Sequence, residues 1–341
     1  MKPQPDPQAH LQPQDATTRG HVPHAAWMVG GLFRFDEHLF TLVNFLATYY
    51  PARAVARVAG APPCAWTLET QGALRPMLTP GRYLSVLKGF AELRTGVTLV
   101  FDNPLPTPDS LQDEYAHGLV KQLLAAEHNP TGRNAVCVAS DELAELLRTS
   151  YPKLPIICHP NRLLMDTAKR TPEFYEALEK RYNLIILHPR DAVAPGLYTK
   201  LKHVGRYMAV VNDPAPRNCP TRRDMLRLLA EMHRRPWDGS LARSYEYMVR
   251  VSAPRENDCT CNLTRQEEAA LYAAGIRQFI VQGAYFRNEI TLMHDIFYHL
   301  LRTTPELSNK AALITNAAMA HIRPLEDSMP SGMAIFSTAE M

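Results

Sequence analysis

Asp102, His159, His188, Asn212 and Asp213 share one setting: each follows a short apolar run rich in β-branched residues, where a polar side chain is placed to do chemistry. Asn103, Ser140, Asp141, Asn161, Asp191, Gln282 and the glycines Gly30 and Gly31 stand in the same kind of position. Four of these ends run directly into proline, at Asp102-Asn103-Pro104, Cys158-His159-Pro160, His188-Pro189 and Asn212-Asp213-Pro214. Taken singly, Asn, Asp and Pro here end strands and build turns. Taken together, two histidines and several carboxyl and amide groups converging on one rim meet the requirements of acid–base chemistry or metal binding. The expected catalytic residues are therefore His159, His188, Asp102, Asp213 and Asn212, with Asn103 and Gln282 contacting substrate.

Sulfur and arginine form a second set. Cys219 lies in a proline-bounded turn, Cys259 and Cys261 follow a patternless stretch, and Cys158 ends an apolar run. Thiolates gathered at one rim suit zinc or an iron–sulfur cluster, and these four are the expected metal ligands. The C-x-C spacing is not the usual C-x-x-C, and free thiols are an equally open reading. Cys64 and Cys137 read as packing residues. Arg217, Arg222 and Arg223 surround Cys219, where they suit an anionic substrate or a lowered thiol pKa; a solvated basic face is the alternative.

The elements that must position these residues alternate along the chain. Apolar runs at 26–32, 97–101, 135–138, 155–158, 184–187, 207–211 and 278–282 read as buried strands, with a weaker, alanine-rich one at 53–59. Helical spacing follows them at 39–50, 83–93, 111–127, 141–149, 173–182, 197–202, 221–232, 265–274 and 290–301. About eight strands, each followed by a helix or loop, predict a (β/α)₈ TIM-type barrel with its chemistry at the C-terminal ends of the strands. Failure of the weak second strand leaves a seven-stranded or incomplete barrel. The Pro/Gln-rich residues 1–21 are expected to be a disordered head, residues 22–325 one barrel domain with an excursion at 236–262 before the last strand, and 326–341 a tail.

Composition narrows the partners. The 341 residues carry 37 basic and 34 acidic side chains, a net charge of +3, which gives no global attraction to nucleic acid or membrane. No apolar run has the length of a membrane span, and the first twenty residues lack the apolar core of a signal peptide, so the expected setting is cytoplasmic. Six cysteines without framework spacing read as reduced thiols or metal ligands. There is no P-loop or G-x-G-x-x-G. Nothing in the sequence sets an oligomeric state.

Two stretches carry a family resemblance. VNDPAPRNCPTRRDM, from Val211 to Met225, resembles the strand, turn and helix with a Cys-Pro dipeptide of the collagenase-like peptidase superfamily, which includes RNA and ubiquinone hydroxylation proteins. NLTRQEEAALYAAGIRQFIVQGAYFRNE, from Asn262 to Glu289, is similar to that superfamily's helix, Gly-Ile or Gly-Val pair and strand. Gln282 and Ala284 stand where the superfamily usually has Glu and Arg, and its compact cysteine cluster is not reproduced. The resemblance implies a TIM-type barrel, a cysteine-bound cluster with Cys219 as the best-matched ligand, and hydroxylase-like or peptidase-like chemistry on a small-molecule or RNA substrate. The alternatives are a catalytically silent barrel that binds a small ligand or protein partner, and a metal-dependent hydrolase.

Overall fold

In the computed structural model, which describes residues 25–49, 55–68, 79–126, 134–213, 219–235, 238–244, 262–283 and 289–301, eight parallel strands close into a barrel in chain order. They are β1 (Ala26–Gly30), β2 (Val55–Gly60), β3 (Gly96–Phe101), β4 (Ala135–Val138), β5 (Ile156–Cys158), β6 (Leu184–Ile186), β7 (Tyr207–Val210) and β8 (Gln278–Val281). Their residues are buried almost throughout, because one face fills the barrel and the other meets the surrounding helices; hence the near-continuous apolar runs. The weak second strand forms and pairs with both neighbours, at the cost of an irregularity opposite Trp27 and Met28.

Local chemistry starts the helices where the strands end. Thr79, with Pro80 behind it, caps α1 (Pro80–Glu92), and Asp113 caps α2 (Glu114–Ala125). Ser140 caps α3 (Asp141–Ser150) through Leu143 N–H, and Thr171 caps α4 (Pro172–Leu178). Thr264 and Glu267 form a reciprocal capping box at α5 (Arg265–Ala273). The helix Asp36–Tyr49 follows β1 and Arg222–Arg234 follows β7. A six-residue helix, Pro160–Met165, has no counterpart in the sequence periods, being too short to show one; His159 caps it and Pro160 pre-sets its first turn.

The barrel interior is filled by Met28, Ala59, Ala135, Cys137, Ile157, Ile186, Met208, Val210 and Ile280, with Val100 and Leu184 against them. Side chains on a strand alternate, so the position two beyond the last of these belongs to the same inner face. Those positions are Gly30, Ala61, Asp102, Ala139, His159, His188, Asn212 and Gln282. The polar residues at the rim are thus continuations of the barrel's own inner rows.

Of the excursion, residues 239–244 are helical, and the chain rejoins the barrel at Asn262, which pairs antiparallel with Asn212. The expected head, the tail and the rest of the excursion lie outside the described residues. The chain divides into two units, residues 1–287 and 288–341; within the second, a helix spans Glu289–Ile296 and a π-helical turn Phe297–Leu301. No helix among the described residues is long and apolar enough to cross a membrane.

Candidate functional site

A cavity of about 60 Å³ opens among these rim positions. One wall comes from β1 and β2 and the turns beyond them, through Gly30, Gly31, Phe33, Ala59, Gly60 and Ala61; His159, Cys137, Val100, Ile186, Ile280, Gln282 and Gly283 complete it. The space is that of a few water molecules or one small chemical group. It exists because β1 and β2 end in glycine and small residues, Gly31, Ala61 and Gly283, follow β1, β2 and β8. Gly31 has φ +94°, and a Cβ on Gly30 would sit 2.5 Å from Gly283 N, so both turns need glycine to approach this closely.

His159 and His188 are the buried nitrogen groups of the rim, 8% and 4% exposed. Each is held from behind by the chain that follows it: Asn161 N–H donates to His159 Nδ1 at 3.1 Å, and Arg190 N–H donates to His188 Nδ1 at 3.1 Å. A backbone N–H can only donate, so Nδ1 is the lone-pair nitrogen and the proton of the neutral ring is on Nε2. Burial, then the field of Arg222, pushes His159 down to about 3. Burial also lowers His188 to about 3, assisted by Arg170, Arg222 and Arg190. At neutral pH both rings are uncharged N–H donors whose Nε2 has no hydrogen-bond partner among the described residues.

Asp102 is the carboxyl of the inner rim. Its Oδ1 accepts from Leu68 N–H at 2.8 Å, tying the turn after β2 to β3, and complete burial raises its pKa to about 7. The ladder from β3 through β5 continues past the strands, with Ala139 N–H donating to Phe101 O and His159 N–H to Val138 O. Asp102, Ala139 and His159 therefore fall in one row across three strands, separated by a single methyl group. Asn161 Nδ2 donates to Asp102 O at 3.0 Å and reinforces the row, while Asn103 is used locally, its Oδ1 capping Leu105 N–H.

On the other side of the mouth, Asn212 and Gln282 clasp. Asn212 Nδ2 donates to Gln282 O at 3.0 Å, and Gln282 N–H donates to Asn212 Oδ1 at 2.6 Å. The two stretches that resemble the collagenase-like superfamily thus meet at these residues. Beside them Asp213, 1% exposed, accepts from Arg222 at 2.9 Å, and this pair aligns the guanidinium whose field reaches both histidines. Arg223 Nε is buried without a hydrogen-bond partner. Sequence reasoning missed Arg170, which pairs with Asp191 at 2.6 Å and acts on His188, and Tyr175, whose hydroxyl donates to Asp191 and accepts from His188 N–H. It also missed Cys137 as a cavity wall; its inward register, two residues after Ala135, was the available signal.

The sulfur set fares differently. Cys158 is fully buried, next in the chain to His159 and so on the opposite face of β5, where it feels Arg162 and Asp141 and burial raises its pKa. Cys219 Sγ lies 3.4 Å from Thr221 Oγ1. Cys259, Cys261 and Arg217 lie outside the described residues. Among the described residues no group of three or more His, Cys, Asp or Glu side chains is disposed to hold a metal ion. Cys158, on the outward face of β5, is turned away from the mouth and from its histidines.

No family model and no curated protein sequence matches the chain. Among solved structures, the chain is similar to the U32 peptidase Mk0906, with 12% sequence identity, a TM-score of 0.49, and coverage of 77% of this chain and 94% of that one.

Proposed function

We propose that the chain is an enzyme working at the C-terminal mouth of its barrel, of collagenase-like peptidase type, and that its substrate presents a carbonyl or acyl oxygen to the cavity. His159 supplies a neutral Nε2–H that polarises this oxygen, and Asp102, one methyl away along the row, exchanges a proton near neutrality. One observation carries the reading. The inner rows of the barrel end in an imidazole locked as a donor by a backbone cap, on the wall of a cavity bounded opposite by glycine. A fixed neutral donor needs no reorganisation as charge develops on the oxygen, the condition under which such donors contribute most. The sequence resemblance supports the same reading, since its two stretches build the adjoining part of the rim through Asn212 and Gln282. Cluster-dependent hydroxylation would draw its ligands from Cys219, Cys259 and Cys261.

A second reading, a barrel that binds its ligand without turning it over, is favoured by the complete burial of Asp102 beneath Leu68. Mass spectrometry of denatured collagen and a mixed peptide pool incubated with the full chain separates the two. Turnover by the wild type, reduced about 10² to 10³-fold in H159N and strongly in D102N, supports the enzyme. Equal turnover in H159N removes His159 from the chemistry. An inert wild type that still binds peptide leaves the silent barrel.

A further inference from the structure

The rim of the mouth over β5, β6 and β7 holds more donors than a single carbonyl oxygen needs. His159 and His188 each present an unpartnered Nε2–H among the described residues, though both side chains are more than nine-tenths buried. With His159 Nε2–H taken by the carbonyl oxygen, the fixed donor of His188 on the neighbouring strand is left for a second acceptor group of the ligand. The register places the two histidines at successive depths: Ile157 pairs with Leu184, so His159 is level with Ile186, and His188 stands two residues further towards the mouth. Arg222 approaches from the helix after β7, set by Asp213. Arg222 and Arg223 lie four and three residues before the buried Leu226, on the helix face that packs with Leu68 from the turn after β2.

The charges decide the ligand's class. Arg222 is matched by Asp213 and Arg170 by Asp191, but Arg223 has no carboxylate within ion-pair distance among the described residues. A cation would meet this set as repulsion, and an uncharged ligand would leave its field unanswered. Resting on the reading of the same mouth as the working site, we infer that the substrate carries an oxyanion, a carboxylate or phosphate, which accepts from His188 Nε2–H while Arg222 and Arg223 answer its charge and His159 Nε2–H stays with the carbonyl oxygen. For a peptide substrate this is the C-terminal carboxylate; for a small molecule it is an acid or phosphate group. Planar guanidinium and fixed N–H donors are the usual partners of both anions.

Calorimetric titration of the full chain with inorganic phosphate, and separately with acetate, at constant chloride concentration tests this without turnover. The expected result is saturable binding of at least one anion, weakened about tenfold or more in H188N and in R223Q. The asparagine oxygen takes over the cap of Arg190 N–H while the Nε2 donor is lost. In H188Q the donor is kept and the cap lost, so its affinity stays within a few-fold of the wild type, and it serves in place of H188N should that variant fold poorly. The arm that saturates tells phosphate from carboxylate. Absence of saturable binding in both arms, or unchanged affinity in H188N and R223Q, overturns the inference. A chain that turns over peptide but binds neither anion loses this inference alone, and one that binds an anion but turns over nothing loses only the enzymatic reading.

Discussion

His159 and His188 show how a residue's role is set by which of its atoms the backbone has taken. Both were expected to be acid–base groups from residue type and position, yet the backbone N–H two residues on occupies Nδ1 in each, leaving only donor chemistry at Nε2. That cap is invisible in composition, although the His-Pro dipeptides that end both strands are its sequence trace. Amide substitutions separate the two functions of the ring. In H159N the cap is kept and the donor lost, so thermal stability should stay within about 1 kcal/mol of wild type while activity collapses. In H159Q the donor is kept and the cap lost, costing about 1 kcal/mol of stability with much of the activity retained. Melting temperature and turnover measured together check the pair, and the opposite ordering would make His159 purely a cap. The pKa shifts predict a pH dependence of opposing parts. Between about pH 4 and 6.5 the unfolded chain protonates both histidines while the folded protein keeps them neutral near 3; in the same window folded Asp102, raised to about 7, holds a proton that the unfolded chain has lost. The unfolded state therefore binds about one more proton in net, and stability should rise with pH across this window. D102N retains the Oδ1 acceptor for Leu68 N–H, removes the opposing part and should steepen the rise to about two protons. Urea midpoints from pH 4.5 to 6.5 measure both slopes.

At the scale of elements, strand identity was legible and strand depth was not. The apolar runs located all eight strands, the alanine-rich second one included, because strands buried on both faces leave a nearly unbroken hydrophobic signal. The helix Pro160–Met165 escaped because six residues complete too few turns to show a period. What no periodicity reveals is the closeness of β1 to β8, where the chain ends meet across the longest sequence separation of any pair. There the glycines are structural in a strict sense. A Cβ on Gly283 would strike the carbonyl of Gly30, backbone that cannot swing aside, whereas one on Gly118, inside α2, would meet nothing within 4 Å. G283A should therefore destabilise the protein by about 1–3 kcal/mol or more and close the cavity. G118A should stabilise it by about 0.5–1 kcal/mol. Chemical denaturation of the two variants side by side provides the check, and similar effects from both would mean that the β1–β8 approach yields easily.

Closure belongs to the whole molecule, and it changes what a local mutation does. An open parallel sheet has edges that fray, but here β1 hydrogen-bonds to both β2 and β8, so every strand is held from two sides. The seam is reinforced outside the barrel by Trp27 and Phe279, whose rings lie 5.3 Å apart and which are almost wholly buried. If the ring of strands is one cooperative unit, loosening the seam must be felt equally on the far side of the barrel, because no strand can leave without breaking the circuit. Phe279→Ala removes a large buried ring and should cost about 3–5 kcal/mol. Native-state hydrogen exchange can locate that loss. The amides of Ala139 and His159, which bond to Phe101 and Val138 across from the seam, should lose the same protection as the amide of Ala26, which bonds to Arg277 at the seam itself. Protection retained at Ala139 and His159 while Ala26 exchanges freely would show that the barrel opens at β1–β8 as a local event. The mouth built on β3 to β7 would then stand independently of the closure that shapes its glycine wall.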